Sequence, residues 1–243
     1  ISSLLKARKI IKSFKPDLAI GVGGFASGPT LRQASKMGIP TLIQEQNSYP
    51  GITNILLSKK VDKICVAYDN MDKYFPKNKI YLTGNPVREA VVNIKGKERE
   101  AEEFFGLKND KLTVLVVGGS LGARTLNECI QENLQAFADK DIQLIWQTGK
   151  NYGPLAEQAA KTFKDKGIQV HPFITRMDLA YAKADIVISR AGAIAISELS
   201  LVQKPVILVP SPFVAEDHQT KNALALVTYH AAKLVKDVEL KEK

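Results

Sequence analysis

Short apolar runs rich in Val, Ile and Leu recur from one end of this chain to the other, separated by stretches of helical periodicity. DLAIGVGG, PTLIQEQ, DKICVAY and KIYLTG come first; LTVLVVGG, IQLIWQTG, IQVHPFI, ADIVISRAG, KPVILVP and AKLVK follow. Consecutive rather than alternating apolar positions mean that both faces of each strand are covered. Helices on the two sides of a parallel sheet do this, and a half-solvated antiparallel meander does not. The expected class is α/β, and 243 residues with 45% hydrophobic content suffice for two cores. Between residues 93 and 111 the pattern breaks into NIKGKEREAEEFFGLKNDK, charged and with only a short apolar cluster. A linker near its start divides the chain into expected domains at 1–95 and 96–243, two Rossmann-like units with parallel sheets facing across a cleft. In open parallel sheets ligands bind beyond the carboxyl ends of the strands, so the glycine-bearing strand ends are the places to look.

A formal net charge of +9 reflects either an acidic partner or simple solubility. Nucleic acid is not supported: basic residues are spread out, aromatics are only 7% of the chain, and no helix-turn-helix, zinc knuckle or aromatic RNA-binding strand occurs. The sharpest basic concentration is the opening ISSLLKARKIIKSFK, with Lys6, Arg8, Lys9, Lys12 and Lys15, no acid, and Leu4, Ala7, Ile11 and Phe14 at helical spacing. Such a helix either packs its apolar stripe on a core or rests on a membrane surface. Cys65 and Cys129 show no C-x-x-C or metal-ligand spacing and read as buried thiols of a reducing compartment, which favours the cytoplasm. No apolar run reaches the roughly 18–20 residues of a membrane-spanning helix, and no signal-peptide pattern opens the chain. It begins with Ile, on a helix that no strand precedes, and reads as truncated there.

Residues 114–128, VLVVGGSLGARTLNE, lead a strand through Gly118, Gly119, Ser120, Leu121 and Gly122 into a helix. The spacing G-x-S-x-G is that of a hydrolase nucleophile elbow, and Asp185 with His218 or His230 follows in the right chain order. The same residues suit a phosphate: glycines admit a ligand to the backbone, and the helix start offers free N–H groups and the positive end of its dipole. The local spelling leaves both readings open. It is not the dinucleotide fingerprint, because Ser120 stands at the second glycine position.

Five other strand ends carry polar chemistry. GVGGFASGPT is an anion- or sugar-binding turn, or a sharp strand-to-helix turn that needs glycine. QEQNSYPGITN gathers Glu45, Gln46 and Asn47 before a helix, where they hydrogen-bond hydroxyls or cap that helix. TGNPVRE places Arg88 near the domain junction, to clamp a diphosphate or to pair with Glu89. SRAGAIAISE sets Gly192 and the small Ala191, Ala193 and Ala195 at a helix start, with Glu198 either accepting hydrogen bonds from a ribose or complementing the helix dipole. PSPFVAEDHQTKNA offers Gln219 and Asn222, three apart and so on one helical face, to read sugar hydroxyls. No metal is expected there, since Asp217 and His218 are adjacent and no H-E-x-x-H spacing exists. His171 and His230 read as packed or surface residues.

In this order, GVGGFASGP, QEQN, GNPVR, VLVVGGSLGA, SRAGAIAISE and DHQTKNA resemble the MurG-type N-acetylglucosaminyltransferases of glycosyltransferase family 28, over nearly the whole chain. The resemblance implies a GT-B fold, an acceptor domain followed by a donor domain, working with neither cofactor nor metal. It implies inverting transfer of N-acetylglucosamine from UDP-N-acetylglucosamine to the 4-hydroxyl of the muramoyl sugar of lipid I, giving lipid II and UDP in peptidoglycan synthesis. By the same resemblance Asn47 and Arg88 lie on the donor side of the cleft, Arg88 near the diphosphate. Ser120 with Gly118, Gly119 and Gly122 holds the phosphates, as a ligand-holding residue rather than a nucleophile, and Ile174 meets the uracil through its backbone. Ala193, Ile194, Ala195, Ile196, Ser197 and Glu198 line the nucleoside, with Glu198 on the ribose, while Gln219 and Asn222 read the N-acetylglucosamine. Another GT-B enzyme, a glycolipid transferase or a UDP-sugar epimerase, is the alternative.

The implied partners are UDP-N-acetylglucosamine, lipid I and the cytoplasmic face of the inner membrane, without nucleic acid. In such enzymes the region of the opening helix, here including Ile1 and Leu4, belongs to an apolar patch ringed by basic residues. The sequence also departs from the pattern. The amino-terminal glycine-rich loop with its histidine is absent, which leaves Glu45 as the candidate catalytic base or orienter on the acceptor side. The carboxyl-terminal helices are cut short after KDVELKEK, and His218 stands where other members carry glutamine. Such a chain is expected to bind donor and to turn over poorly.

Overall fold

The structure, a computed structural model, describes residues 2–240 and divides between Pro86 and Val87 into two compact units. The class is α/β as expected. A strand forms within each of the ten apolar runs, and every described pairing is parallel.

The first unit runs α1 (Ser2–Phe14), β1 (Ala19–Gly21), α2 (Gly24–Lys36), β2 (Thr41–Glu45), α3 (Ile52–Ser58), β3 (Lys63–Val66) and β4 (Ile80–Leu82), with sheet order β1-β2-β3-β4. Ile43 of β2 lies beside Ile64 of β3, and both pack with Val66 against Leu31 of α2 and Leu57 of α3. Of the opening stripe, Ala7 and Ile11 are buried and Leu4 is half-buried. Phe14 departs from it: it is the last helical residue, Lys15 turns the chain away at a φ of 51°, and the ring is left 78% exposed. Ile1 lies outside the described residues.

The second unit begins with α4 (Glu89–Val92) and α5 (Glu98–Phe105), then β5 (Thr113–Val117), α6 (Arg124–Glu132), α7 (Leu134–Asp139), β6 (Gln143–Gln147), α8 (Gly153–Ala160) and β7 (Ile168–His171). There follow α9 (Met177–Lys183), β8 (Ile186–Ser189), α10 (Ala193–Val202), β9 (Val206–Leu208), α11 (His218–Val227) and β10 (Lys233–Leu234). The sheet order is β10-β9-β8-β5-β6-β7, that of a doubly wound fold. Successive residues of β5 serve opposite faces: Leu115 and Val117 pack with α9 and α10, Val114 and Val116 with α6 and α8.

The boundary expected at residue 95 is corrected to 86. Val91, with Val92 and Ile94 against it, belongs to the second core, because α4 lies on α9 and α10. The charged segment beyond the expected linker forms α5, with Ala101 and Phe105 buried and two of its acids paired toward α9: Arg176 reaches Glu100 at 2.8 Å and Lys183 reaches Glu102 at 3.5 Å. Cys65 and Cys129 are free and only half-buried. No helix of the described residues is long and apolar enough to cross a membrane.

Candidate functional site

Beyond β5 the chain turns through residues 118–122 into α6. Gly119 and Gly122 take φ of 86° and 80°, a region that costs a residue with a Cβ strain. At Gly122 space decides as well: a Cβ there would lie 2.2 Å from the Thr148 carbonyl oxygen, and one on Gly149 would lie 2.4 Å from the Gly122 nitrogen. Two strand-end loops therefore touch backbone to backbone. Asn127 of α6 clamps them, donating from Nδ2 to the Thr148 oxygen at 2.8 Å while its Oδ1 accepts from Trp146 Nε1 at 3.0 Å, in buried surroundings. Sequence reasoning gave Gly149, Asn127 and Trp146 no role. The glycine closing IQLIWQTG was the available signal.

The strand order reverses between β5 and β8, and beyond their carboxyl ends lies a cavity of about 420 Å³. Gly118, Gly119 and Gly122 line it together with Ala195, Gln219 and Arg190. Both α6 and α10 start there, from Ala123 and Gly192, and neither has a side-chain cap or an acidic residue in its first turn. Helix starts without side-chain caps and two positive dipole ends converging on one cavity are a setting that favours an anion.

Apart from Ala195 and Gln219, the remaining expected residues are not among those that line it. Ser120 is exposed at the tip of the turn. Glu198 is half-buried, and its Oε2 accepts from the Tyr181 hydroxyl at 3.1 Å. Burial, and then the Glu198 charge, push the Tyr181 phenol far above its ordinary pKa, so it remains a donor. The Ile174 N–H donates to Gln147 Oε1 at 3.2 Å, so the backbone group expected to meet uracil already has a protein partner. Gln219 accepts from the Ser211 N–H at 2.9 Å. Asn222, expected beside it as a sugar reader, is only 1% exposed: the helical face is shared, but that turn of α11 points into the unit. Within 193–198, Ile196 is core, Ala193 and Ala195 are half-buried, Ile194 is exposed, and the Ser197 hydroxyl donates to the Ala193 carbonyl at 3.0 Å. Arg88 is exposed at the start of α4 and forms no ion pair with Glu89.

Glu45 and Asn47 belong to the first unit. Glu45 is 2% exposed, with both carboxylate oxygens occupied. Oε1 accepts from the Asn47 N–H at 3.0 Å and from Asn47 Nδ2 at 3.3 Å, and Oε2 accepts from the Gly51 N–H at 3.1 Å and Asn54 Nδ2 at 2.8 Å. Gln44 and Asn85 stitch the same strand end to the loop after β4: Gln44 Nε2 donates to the Gly84 carbonyl at 3.1 Å, and Asn85 Nδ2 to the Gln46 carbonyl at 3.0 Å. Four accepted hydrogen bonds describe a carboxylate that shapes a loop.

Residues 113–243 match the glycosyltransferase family 28 C-terminal domain, and residues 1–66 match the family's N-terminal domain. The chain belongs to glycosyltransferase family 28. It is 59% identical over 235 residues to the UDP-N-acetylglucosamine--N-acetylmuramyl-(pentapeptide) pyrophosphoryl-undecaprenol N-acetylglucosamine transferase of Parabacteroides distasonis, covering 97% of this chain and 64% of that one. To the protein of the same name in Phocaeicola vulgatus it is 58% identical over 243 residues, covering 100% and 65%. Among solved structures it is similar to Acinetobacter baumannii MurG, with a TM-score of 0.76, 33% identity, and coverage of 97% and 64%. The family 28 chain thus spans just under two thirds of the length of these relatives.

The hydrolase reading of the Gly118–Gly122 turn fails on geometry. The Asp185 carboxylate accepts from the Thr113 N–H at 2.7 Å, at the start of β5, whereas Ser120 follows its end, a full strand length away. His230 lines a separate cavity with Ile186 and Val206, at the starts of β8 and β9. Neither Asp185 nor His230 is therefore assembled behind the serine of this turn.

Proposed function

We propose that this chain binds UDP-N-acetylglucosamine in the cavity of its second unit and serves the inverting transfer of N-acetylglucosamine to the 4-hydroxyl of the muramoyl sugar of lipid I, yielding lipid II and UDP. The observation that carries this reading is the convergence of two uncapped, acid-free helix starts on the glycine turn at the sheet's switch point. The relatives named for that transfer support the choice of substrates.

As the acceptor oxygen attacks the anomeric carbon, the bond to the diphosphate breaks and negative charge grows on the departing UDP. N–H groups already fixed at the starts of α6 and α10 stabilise that charge without reorganising, and Arg88 adds charge-assisted hydrogen bonds. Ser120 holds a phosphate oxygen at the tip of the turn. Glu198, oriented by Tyr181, accepts from the ribose hydroxyls. The Ile174 backbone meets the uracil once its N–H leaves Gln147. Gln219, oriented through its bond from Ser211, reads the N-acetylglucosamine, and Asn222 supports the helix from inside. Glu45 acts as orienter rather than base, because protonating it would break the bonds that hold Asn47. Lipid I is membrane-anchored, so the chain works as a peripheral protein at the cytoplasmic face, with α1 as its contact.

Calorimetry with UDP-N-acetylglucosamine, UDP-glucose and NAD tests the donor assignment. UDP-N-acetylglucosamine is expected to bind best, and Glu198→Ala to weaken it by roughly 1–3 kcal/mol. Equal affinity for NAD overturns the reading, and an unchanged Glu198→Ala removes that residue from the site. Incubation with lipid I then reads turnover directly as lipid II formed.

A further inference from the structure

Two arginines line the donor cavity. Arg124 is 87% exposed at its side chain and paired with Glu128 at 2.7 Å along its own helix. Arg190 is different. It follows β8, its N–H donates to the Val117 carbonyl at 3.2 Å, and its side chain is 13% exposed. Its Nη1 donates to the carbonyls of Val209 and Pro210, each at 3.2 Å, and is ion-paired with the Asp237 carboxylate. Asp237 is 8% exposed and opens the helical turn Asp237–Glu239, which does not line the cavity. Beyond that turn Leu240 packs with the core beneath α6, and its carbonyl accepts from Cys129 Sγ at 3.2 Å. The segment is thus fastened both to the arginine and to the helix that begins at the phosphate turn.

A guanidinium offers five N–H donors in a rigid fork. At Arg190 the Nη1 side is occupied by protein, while Nε and Nη2 have no hydrogen-bond partner among the described residues. That remaining edge is the one that takes two oxygens of a phosphate side by side. We propose that Arg190 is a second cationic ligand of the nucleoside diphosphate and that Asp237 is its positioning residue, holding the guanidinium against the Val209 and Pro210 carbonyls and offsetting part of its charge. The inference rests on the donor-site reading above. Asp237 then acts against the ligand's charge through Arg190, so that a segment outside the cavity sets how tightly UDP is held and how readily it leaves.

Titration of UDP into the full chain, at low and high salt, tests this with Asp237→Asn, Arg190→Gln and the double variant. Removing the carboxylate's charge is expected to tighten UDP about fivefold and to steepen its salt dependence. Arg190→Gln is expected to weaken UDP about tenfold, and Asp237→Asn to add nothing in that background. A buried arginine without its carboxylate can cost folding, so melts with and without UDP accompany the titrations. UDP must raise the Asp237→Asn midpoint by more than it raises that of the unaltered chain. Arg190→Lys, which keeps the charge but lacks the second donor edge, must bind UDP more weakly. Unchanged or weaker UDP binding by folded Asp237→Asn, or a gain that persists with Arg190→Gln, overturns the proposal. If the unaltered chain fails to bind UDP, the donor-site reading itself is lost; if it binds and these variants match it, only the Arg190–Asp237 proposal is.

Discussion

At Gly122 two independent constraints coincide, a φ of 80° and a Thr148 oxygen 2.2 Å from where a Cβ would be. Gly119 has the first constraint without the second, since a Cβ there would meet nothing within 4 Å. Gly122→Ala is therefore expected to lower unfolding free energy by about 2–3 kcal/mol and to abolish UDP binding. Gly119→Ala carries only the backbone strain, about 1 kcal/mol. Urea midpoints of the two variants check this, and equal costs would show that the contact with Thr148 is not what confines the turn. The glycine turn was legible because its residues are neighbours in the chain. Gly149, Arg190 and Asp237 were not, because each acts through a partner far away in sequence. Glu45 was legible as a carboxylate at a strand end, but residue type does not reveal whether its lone pairs are already taken.

At the scale of elements, α5 is held to α9 by a charge cluster around Asp178, which is 7% exposed. Its carboxylate accepts from Arg176 through Nε and Nη2, each at 3.0 Å, and from Lys97 at 2.8 Å. The Arg176 hydrogen bonds, with those and the charge of Lys97, hold this carboxyl well below the usual aspartate range against the opposing effect of burial. A depressed carboxylate pKa stabilises the fold fully above the unfolded value of about 3.9 and loses that contribution as pH falls through the folded value. Asp178→Asn is accordingly expected to lower the neutral-pH melting midpoint by about 3 °C, with the gap narrowing below about pH 4, where the unfolded chain's carboxyl takes up its proton, and closing only as pH falls through the depressed folded value. A gap that widens in acid contradicts the cluster's role. Helix α4 explains the misplaced boundary, because Val91 packs into the second core although the short run around it reads as a connection. In α5 high charge reads as solvent-exposed, yet Glu100 and Glu102 pair with Arg176 and Lys183 while Ala101 and Phe105 turn inward. The strands were easier, because runs such as TVLVV can satisfy both faces only inside a layered sheet.

For the molecule as a whole, the charge of +9 is not evenly consequential. Lys6, Arg8, Lys9 and Lys12 are all exposed on α1 beside exposed Leu5, Ile10 and Phe14, and α1 has no acid to oppose them. Near an anionic bilayer each such cation contributes about 1 kcal/mol. Co-sedimentation should show binding to phosphatidylglycerol vesicles that falls with added salt and weakens in a Leu5→Ser, Phe14→Ser variant; equal binding to neutral vesicles would assign the charge to solubility alone. Which way the amphipathic helix would face was not legible beforehand, since a stripe at helical spacing does not say which of its members finds a core.

Parallel pairing throughout leaves its mark on how the chain is made. Strand β5 is bordered by β6 on one edge and by β8 on the other, and β8 starts only at Ile186. A nascent chain emerging from a ribosome therefore carries an uncovered, apolar strand edge until some seventy further residues have been translated, because parallel partners cannot be supplied by a hairpin. Until then the cavity beyond β5 has one wall, and the uncovered edge is where the polypeptide is most open to mispairing.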